Sequence, residues 1–203
     1  MNTDHTYTVA FYNLENYFDT RDDHYVLDDD FTPRGFKKWD KKRFEWKTRK
    51  LARAISQIGE EEHDLPPVLV GIAEVENSRV IERLLKAKKL KSVDYGYVHY
   101  DSPDERGIDT GLLYHKQYFN VIDSETIPLL IANTNGDRDL TRDILYVHGE
   151  LNGEKVHVFV NHWPSRRDGA DKTAYKRIAA AKTIVSKLEA IRTKDSTVNL
   201  MIM

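Results

Sequence analysis

The segment PPVLVGIAEVEN, residues 66–77, decides the fold class. Its apolar run from Val68 to Ala73 has the length and composition of a strand that is buried on both faces, as in a parallel sheet. Glu74 ends this run, and Asn77 can cap the start of a following helix. The segment therefore predicts a buried strand, a polar strand end and a helix N-terminus in close succession, which is typical of an α/β protein.

The residues on both sides continue this pattern. Residues 7–12 form a strand candidate, and Lys42 to Ile58 carries one apolar helical stripe that ends at Gly59. The Asn152-Gly153 pair is typical of a two-residue hairpin, so antiparallel pairing is also expected. Further strands are predicted at residues 95–100, 110–114, 118–122, 144–151, 155–160 and in the final TVNLMIM. A last helix is predicted over Thr173–Ile191, with core positions at Ile178, Ala181, Ile184, Val185, Leu188 and Ile191. The sequence thus predicts one α/β domain with mixed sheets over residues 1–203.

Composition narrows the classes of function. The formal net charge of −2 gives no global attraction to nucleic acid or to an anionic membrane, so a polyanion would have to bind a local patch. The absence of cysteine excludes disulfides, a thiolate nucleophile and cysteine-ligated metals. No apolar run approaches the roughly 20 residues that cross a bilayer, and the first residues lack the order of a signal peptide. We expect a soluble chain, either cytoplasmic or secreted after loss of a leader, and the sequence does not decide between these compartments.

Three predicted strands end on residues that can bind a metal or move a proton. These are Asn13, Glu74 and, in the stretch VFVNHWPSR (158–166), His162. Ligands of α/β sheets bind at such strand ends. Each residue also has a structural alternative, because Asn13 can cap a turn, Glu74 can face the following helix dipole, and a histidine beside Trp163 can simply be packed and hydrogen-bonded.

Four stretches occur in a fixed order: FYNLENYFD (11–19), GIAEVEN (71–77), RGIDTGLLY (106–114) and VNHWPSR (160–166). Together with FTPRGFKKWDKKRFEWK (31–47), they resemble the endonuclease/exonuclease/phosphatase superfamily, in particular its bacterial nuclease-like members. The resemblance extends from about Tyr7 to Met203. It implies a four-layered α-β-β-α sandwich, with two sheets packed face to face, that hydrolyses phosphate esters with a hard divalent cation.

The resemblance also implies a metal site. Asn13 and Glu74 match the metal-binding Asn and Glu of the family, and His162 matches the histidine that contacts the scissile phosphate in an acid/base or hydrogen-bonding role. Carboxylate and amide oxygens suit Mg²⁺ or Mn²⁺ better than zinc. A histidine is useful near neutral pH because its ordinary pKa is about 6.5.

Three further residues take roles from the same resemblance. Asp109 falls where many relatives carry an acid that orients the histidine and favours its protonated ring. Arg142 and Arg166 resemble arginines that bind substrate phosphates through their guanidinium forks. The alternatives are a turn aspartate at Asp109 and solvated surface charges at both arginines.

One part of the family pattern is missing. Relatives continue after a strand like VNLMIM with a Gly-Asp-x-Asn motif and, much later, an Asp-His pair, and neither is present in this chain. We therefore expect the N-terminal part of a longer enzyme, with an incomplete sandwich. Little or no hydrolytic activity is expected of it alone. Its unpaired sheet edges are expected to allow a homo-oligomer.

Three functions stay open at this point. The first is a metal-dependent nuclease, and the second is a phosphatase or phosphodiesterase acting on a small molecule or a phospholipid head group. The third is a catalytically dead binding module. Basic residues between positions 34 and 43 can follow a nucleic-acid backbone or can be the solvated start of a helix, and acidic residues lie close by at positions 22–30. We favour the nuclease.

Overall fold

The computed structural model describes residues 6–62, 64–133, 136–167 and 169–203. Three α-helices are present there: α1 (Lys41–Gln57), α2 (Ser78–Leu85) and α3 (Ala174–Lys194). The strands are β1 (Val9–Tyr17), β2 (Leu69–Val75), β3 (Tyr95–His99), β4 (Asp109–His115), β5 (Phe119–Ile127), β6 (Ile131–Ala132), β7 (Arg138–Asp139), β8 (Ile144–Leu151), β9 (Glu154–Val160) and β10 (Asn199–Ile202). The helices and the longer strands confirm the predicted order of elements.

Two four-stranded sheets form the centre of the molecule. The first has the order β1-β2-β4-β3, in which β1 and β2 are parallel and the other pairs are antiparallel. The second has the order β10-β9-β8-β5, in which only β10 and β9 are parallel. Both sheets are therefore mixed, as the sequence predicts. The short strands β6 and β7 form a separate two-stranded pair that the sequence pattern does not indicate.

The layers follow from which face of each strand is apolar. Leu69 and Leu112 of the first sheet pack between the sheets against Val147 and Val158 of the second. On the outer side of the first sheet, a separate core holds the helices α1 and α2 against β2. On the outer side of the second sheet, α3 packs against the strands β8 and β9. The result is the predicted α-β-β-α sandwich.

Local signals explain the element boundaries. The Asp40 side chain accepts a hydrogen bond from the Arg43 N–H at 2.8 Å and begins α1. Asn77 accepts one from the Val80 N–H at 3.2 Å and begins α2, as predicted. The β8–β9 hairpin turns at Asn152 and Gly153, whose φ angles of 49° and 91° match the left-handed turn that an Asn-Gly pair favours.

The predicted core face of α3 is partly wrong. Ile184 and Ile191 are buried against the second sheet, but Ile178 and Val185 are 54% and 49% exposed. Since each residue turns an α-helix by about 100°, Ile178 and Val185 lie on the flank of the helix and not on the face toward the sheet. One sheet covers a narrower stripe than the apolar pattern of the helix suggests.

Two remaining expectations concern membranes and sheet edges. Within the described ranges, no helix combines the length and the apolar character that crossing a bilayer requires. The strand β10 is one of the two edge strands of the second sheet. Self-association through such an edge remains a prediction.

Candidate metal and phosphate site

A strained bulge interrupts the pairing of β1 and β2. It lies within β1, which continues to Tyr17, so the prediction that Asn13 ends the first strand is wrong. The two strands pair Asn13 with Ala73 and resume at Tyr17 with Val75, so three residues of β1 lie opposite Glu74 alone. Glu74 has a φ of 60°, in the left-handed region of the backbone that residues other than glycine rarely adopt. Residues held in this conformation cluster at functional sites, because the surrounding structure must stabilise them. The bulge takes the Glu74 side chain out of the regular alternation of the strand.

Hydrogen bonds fix both oxygens of the Glu74 carboxylate. The Asn13 Nδ2 donates to Glu74 Oε1 at 3.2 Å, and the Asn16 N–H donates to Oε2 at 2.8 Å. Asn13 Oδ1 accepts from the Glu15 N–H at 2.7 Å, which sets the orientation of the Asn13 amide. Lys47 of α1 donates from its Nζ to the carbonyl oxygens of Glu15 and Asn16. The amide and the carboxylate are therefore held together by a loop that α1 clamps.

His162 reaches this carboxylate from the second sheet. It lies two residues beyond β9, and its Nε2 is 3.4 Å from Glu74 Oε1. Burial of the imidazole lowers the pKa of His162 to about 4; the nearby Arg142 lowers it further and Glu74 acts in the opposite direction. The ring is neutral near pH 7, in contrast to the protonated ring that an orienting carboxylate would favour.

Arg142 lies beside the histidine. It precedes β8 by two residues, next to the end of β9, and its Nη2 donates to the His162 carbonyl oxygen at 3.4 Å. Its Nη1 donates to Asp104 Oδ2 at 2.8 Å, in an ion pair whose side chains are only 9% and 5% exposed. Asp104 thus fixes the guanidinium at the edge of the site.

Unpartnered polar atoms concentrate at this place. In the part of the chain that the structure describes, four buried side-chain nitrogens have no hydrogen-bond partner, and three of them are Arg142 Nε, Asn161 Nδ2 and His162 Nδ1. Buried polar atoms are normally hydrogen-bonded. Three such atoms within and beside one strand end indicate a place where a ligand or ordered water would complete the bonding.

The structure places Asp109 and Arg166 differently. Asp109 begins β4 opposite Val75, and its carboxylate bonds to His99 Nε2 at 3.1 Å and to the Ser102 N–H at 2.9 Å, as well as to the Ser102 hydroxyl. Burial raises the pKa of Asp109, while the His99 and Ser102 bonds act in the opposite direction. These contacts do not include His162.

The side chain of Arg166 is exposed and has no described contact with the other predicted site residues. The next residue, Arg167, lines a cavity of about 300 Å³ together with Arg142 and Asp104. The structure therefore brings Asn13, Glu74, His162 and Arg142 together. The roles predicted for Asp109 and Arg166 stay predictions.

Residues 8–203 match the sequence model of the Endonuclease/Exonuclease/phosphatase family. The chain belongs to this family. No curated protein matches the sequence significantly.

Solved structures share the fold of this Endonuclease/Exonuclease/phosphatase chain at low sequence identity. D. rerio TDP2, humanized by 14 mutations, has a TM-score of 0.56 and 15% identity, with 88% of this chain and 54% of that chain covered. C. elegans TDP2 has a TM-score of 0.55 and 18% identity, with 79% and 42% covered. The endonuclease/exonuclease/phosphatase from Bacteroides vulgatus has a TM-score of 0.52 and 18% identity, with 90% and 59% covered. The chain spans about half the length of these structures.

Among the described residues of this family member, two groups could hold a metal ion. In the first group the ligand atoms would be Asn13 Oδ1, which now accepts from the Glu15 N–H, and the Glu74 carboxylate. Oxygen ligands of this kind fit a hard divalent cation. The second group is His99, Asp101 and Asp109, whose ligand atoms lie within 4.8 Å of one another. In both groups the carboxylate oxygens already form hydrogen bonds, those of Asp109 with Ser102 and His99 and those of Glu74 with Asn13 and Asn16. Glu74 Oε1 also lies 3.4 Å from His162 Nε2.

Sequence reasoning missed three residues that hold the site in this family member. Lys47 and Asn16 support Glu74, and Asp104 supports Arg142. Asp104 stands three residues before Gly107 in a stretch typical of a turn, so its near-complete burial has no signal in the sequence. The sequence signal for the orientation of Lys47 is weak. Lys47 is adjacent to Thr48, which is buried on α1.

Proposed function

We propose that this chain carries the metal- and histidine-bearing part of a phosphodiesterase, a nuclease that hydrolyses nucleic acid with Mg²⁺ or Mn²⁺. One observation carries the proposal: Arg142, Asn161 and His162 present unpartnered buried nitrogens around the strand end where His162 meets Glu74. Family membership supports the reaction class, the hydrolysis of phosphate esters. The cluster supports the location of the reaction.

Glu74 and Asn13 are the residues that would hold the cation. A bound divalent cation neutralises charge on the phosphate and lowers the pKa of bound water. The chain itself contributes rigidity, because the Asn13 amide and the Asn16 N–H each fix one oxygen of the carboxylate. The left-handed backbone at Glu74 has a physical reason in this arrangement, since it directs the carboxylate toward His162.

His162 and Arg142 act on the phosphate in this proposal. As a neutral imidazole near pH 7, His162 can accept a proton from the attacking water or donate one hydrogen bond. Arg142 stays charged, and its Nε can donate to a phosphate oxygen while Nη1 remains on Asp104. Charge that develops on the phosphoryl oxygens would then be stabilised by a guanidinium already in position.

Asp109 and Arg166 have supporting roles in the proposal. Asp109 fixes Ser102 at the start of residues 102–106, the segment that carries Asp104, and Asp104 in turn holds Arg142. Asp109 is thus a positioning residue. Arg166, exposed next to the cavity at Arg142, is assigned to a more distant substrate phosphate.

Titration of the chain with Mn²⁺ tests the metal assignment without requiring turnover. We expect one site per chain, with an affinity that falls about tenfold or more in Glu74→Gln, because the amide keeps the shape of the side chain and loses its charge. Glu61→Gln is the matched control, because Glu61 is exposed and does not line the cavity that contains Glu74. Equal Mn²⁺ affinity in the wild-type chain and in Glu74→Gln would remove Glu74 from the site.

Hydrolysis assays separate the alternative functions. DNA, RNA and a set of phosphomonoesters are each incubated with the chain in Mg²⁺ and in chelator. Metal-dependent cleavage of nucleic acid that disappears in His162→Ala supports the nuclease. Turnover of phosphomonoesters alone would favour a phosphatase, and any turnover that persists in His162→Ala would contradict the role of the histidine.

A further inference from the structure

We propose that the exposed face of α1 beside the candidate site binds a single-stranded nucleic acid, with a base stacked on Trp46 and flanking phosphates bound by Lys42 and Arg49. This inference rests on the proposed nuclease function and specifies its substrate as an unpaired strand. We call the surface formed by these three residues the α1 face.

Helix geometry places the three residues together. Lys42, Trp46 and Arg49 are spaced by four and three positions, so they lie on one side of α1. A different side of the helix, with Thr48, Leu51, Ala52 and Ile55, is buried in the core. Trp46 is 53% exposed. An indole of this size on the surface is therefore not required for packing of the core.

The α1 face is continuous with the candidate site. A single cavity of about 930 Å³ is lined by Glu74 and Asn13 at one end and by Lys42, Trp46 and Arg49 along α1. A strand whose scissile phosphate lay near Glu74 would therefore pass along this helix. The proposed metal ligands and the α1 face therefore line the same cavity.

The charge of the cavity is opposite to the charge of the whole chain. Its lining includes four cationic side chains and two carboxylates, although the chain as a whole has a formal charge of −2. One of the cations, Arg43, donates to the carbonyl oxygens of Lys37 and Lys38 and so holds the preceding loop. Lys42 and Arg49 have no ion-pair partner among the residues that the structure describes. They are free to bind phosphates.

One face of the Trp46 ring remains for stacking. The Lys50 Nζ lies 3.9 Å from the ring centroid and covers one side of the indole. Lys50 lines a neighbouring cavity, and Trp46 borders both that cavity and the one that contains Lys42 and Arg49. The base is proposed to stack on the ring face opposite Lys50. Trp39 also lines the cavity that contains Lys42 and Arg49. Its indole is held in place because its Nε1 donates to the Phe18 carbonyl oxygen at 3.0 Å.

The aromatic residue distinguishes a single strand from other phosphate ligands. Bases in a duplex are paired and stacked on each other, so an indole on a protein surface can stack only with an unpaired base. Phosphate contacts alone would serve a duplex or an anionic lipid equally well. The combination of Trp46 with two unpaired cations matches the stacking platform and basic groove of single-strand binders.

Binding without turnover tests this inference. The fluorescence anisotropy of labelled dT12 is measured with the chain in chelator, so that a failure of the proposed hydrolysis does not affect the result. Trp46→Ala should weaken binding by about 5- to 150-fold, the range found when a stacking residue is removed. Tyr175→Ala is the matched control, because Tyr175 is 40% exposed on α3, on the other side of the sandwich, and should leave the affinity unchanged.

Salt dependence tests the two cations. Lys42→Gln/Arg49→Gln should reduce the slope of log affinity against log salt by about 1.4, since each phosphate contact to a single strand contributes about 0.7. The pair Lys88→Gln/Lys91→Gln, on exposed residues after α2, should leave the slope unchanged. An abasic oligomer of the same length should bind the wild-type chain as weakly as dT12 binds Trp46→Ala.

Three results would overturn the inference: equal dT12 affinity in Trp46→Ala and Tyr175→Ala, equal affinity of the wild-type chain for dT12 and the abasic oligomer, or tighter binding of duplex DNA or phosphatidylserine vesicles than of dT12. Each result bears on the α1 face alone. The Mn²⁺ titration of Glu74→Gln tests the proposed function separately.

Discussion

Replacing Arg142 with methionine should destabilise the fold by about 3 kcal/mol. Arg142 and Asp104 form an ion pair at 2.8 Å with both side chains almost fully buried. Removing one partner of a buried pair costs about 3–5 kcal/mol, because the remaining charge stays buried without compensation. Asp104 keeps a hydrogen bond from the Arg106 N–H at 3.0 Å and a weaker contact with the half-exposed Arg106 guanidinium at 3.6 Å. We therefore expect the lower end of the range.

Urea denaturation followed by circular dichroism measures this loss of unfolding free energy. Thermal denaturation measures the corresponding change in Tm. In a domain of this size, 1 kcal/mol corresponds to about 2–4 °C in Tm, so Arg142→Met should lower Tm by about 6–12 °C. The double variant Arg142→Met/Asp104→Leu should recover most of the loss, since no charge is then left unpaired. Arg79→Met breaks the exposed pair with Asp19 and should cost less than about 1 kcal/mol.

Either of two results would contradict the predicted contribution of the buried Arg142–Asp104 ion pair to stability. A loss below about 1 kcal/mol in Arg142→Met would show that Asp104 is well solvated in solution. A double variant less stable than Arg142→Met would show that the leucine does not fit the space, and Asp104→Asn in the same background then separates charge from shape.

Two further predictions concern carboxylate burial and the clamped loop. Burial raises the pKa of Glu76 from 4.5 to about 7, so the stability present below pH 4.5 is lost as the pH rises to about 7. At pH 8, Glu76→Gln should therefore have a free energy of unfolding up to about 3 kcal/mol higher than the wild type, as measured by urea denaturation, with no such gain at pH 4. A gain independent of pH would refute the burial argument. Lys47→Met should weaken Mn²⁺ binding about tenfold at unchanged circular dichroism, because Lys47 holds the loop that fixes Glu74. Lys50→Met is its control, and an unchanged affinity in Lys47→Met would exclude a positioning role for this lysine.

Features encoded by adjacent residues could be predicted from the sequence. The buried run of β2, the cap at Asn77 and the Asn152-Gly153 hairpin each depend on a few neighbouring side chains, and the structure contains all of them. The face of α3 was predicted less well, because periodicity identifies apolar positions and does not show how wide a surface covers them. Ile178 and Val185 are exposed for this reason.

The site depends on contacts between distant residues, which local patterns do not contain. The sequence predicted strand ends at Asn13, Glu74 and His162, and only His162 follows its strand. Asn13 and Glu74 lie within β1 and β2 beside the bulge. The mutual distances of the three residues follow from the packing of two sheets. The partners of Arg142 and Asp109 were not visible. Arg142 is 38 residues from Asp104 along the chain, and Asp109 bonds to His99 on the adjacent strand. The left-handed backbone at Glu74 has no sequence signal either, since the residue is not a glycine.

Paramagnetic broadening by Mn²⁺ locates the metal directly. In an NMR titration of the labelled chain, we expect the Asn13 side-chain amide, the Asn16 backbone amide and the His162 ring signals to broaden together at the lowest Mn²⁺ concentrations. Broadening centred on His99 and Asp101, with Asn13 and His162 unaffected, would place the cation in the other group and contradict the assignment of the metal to Glu74.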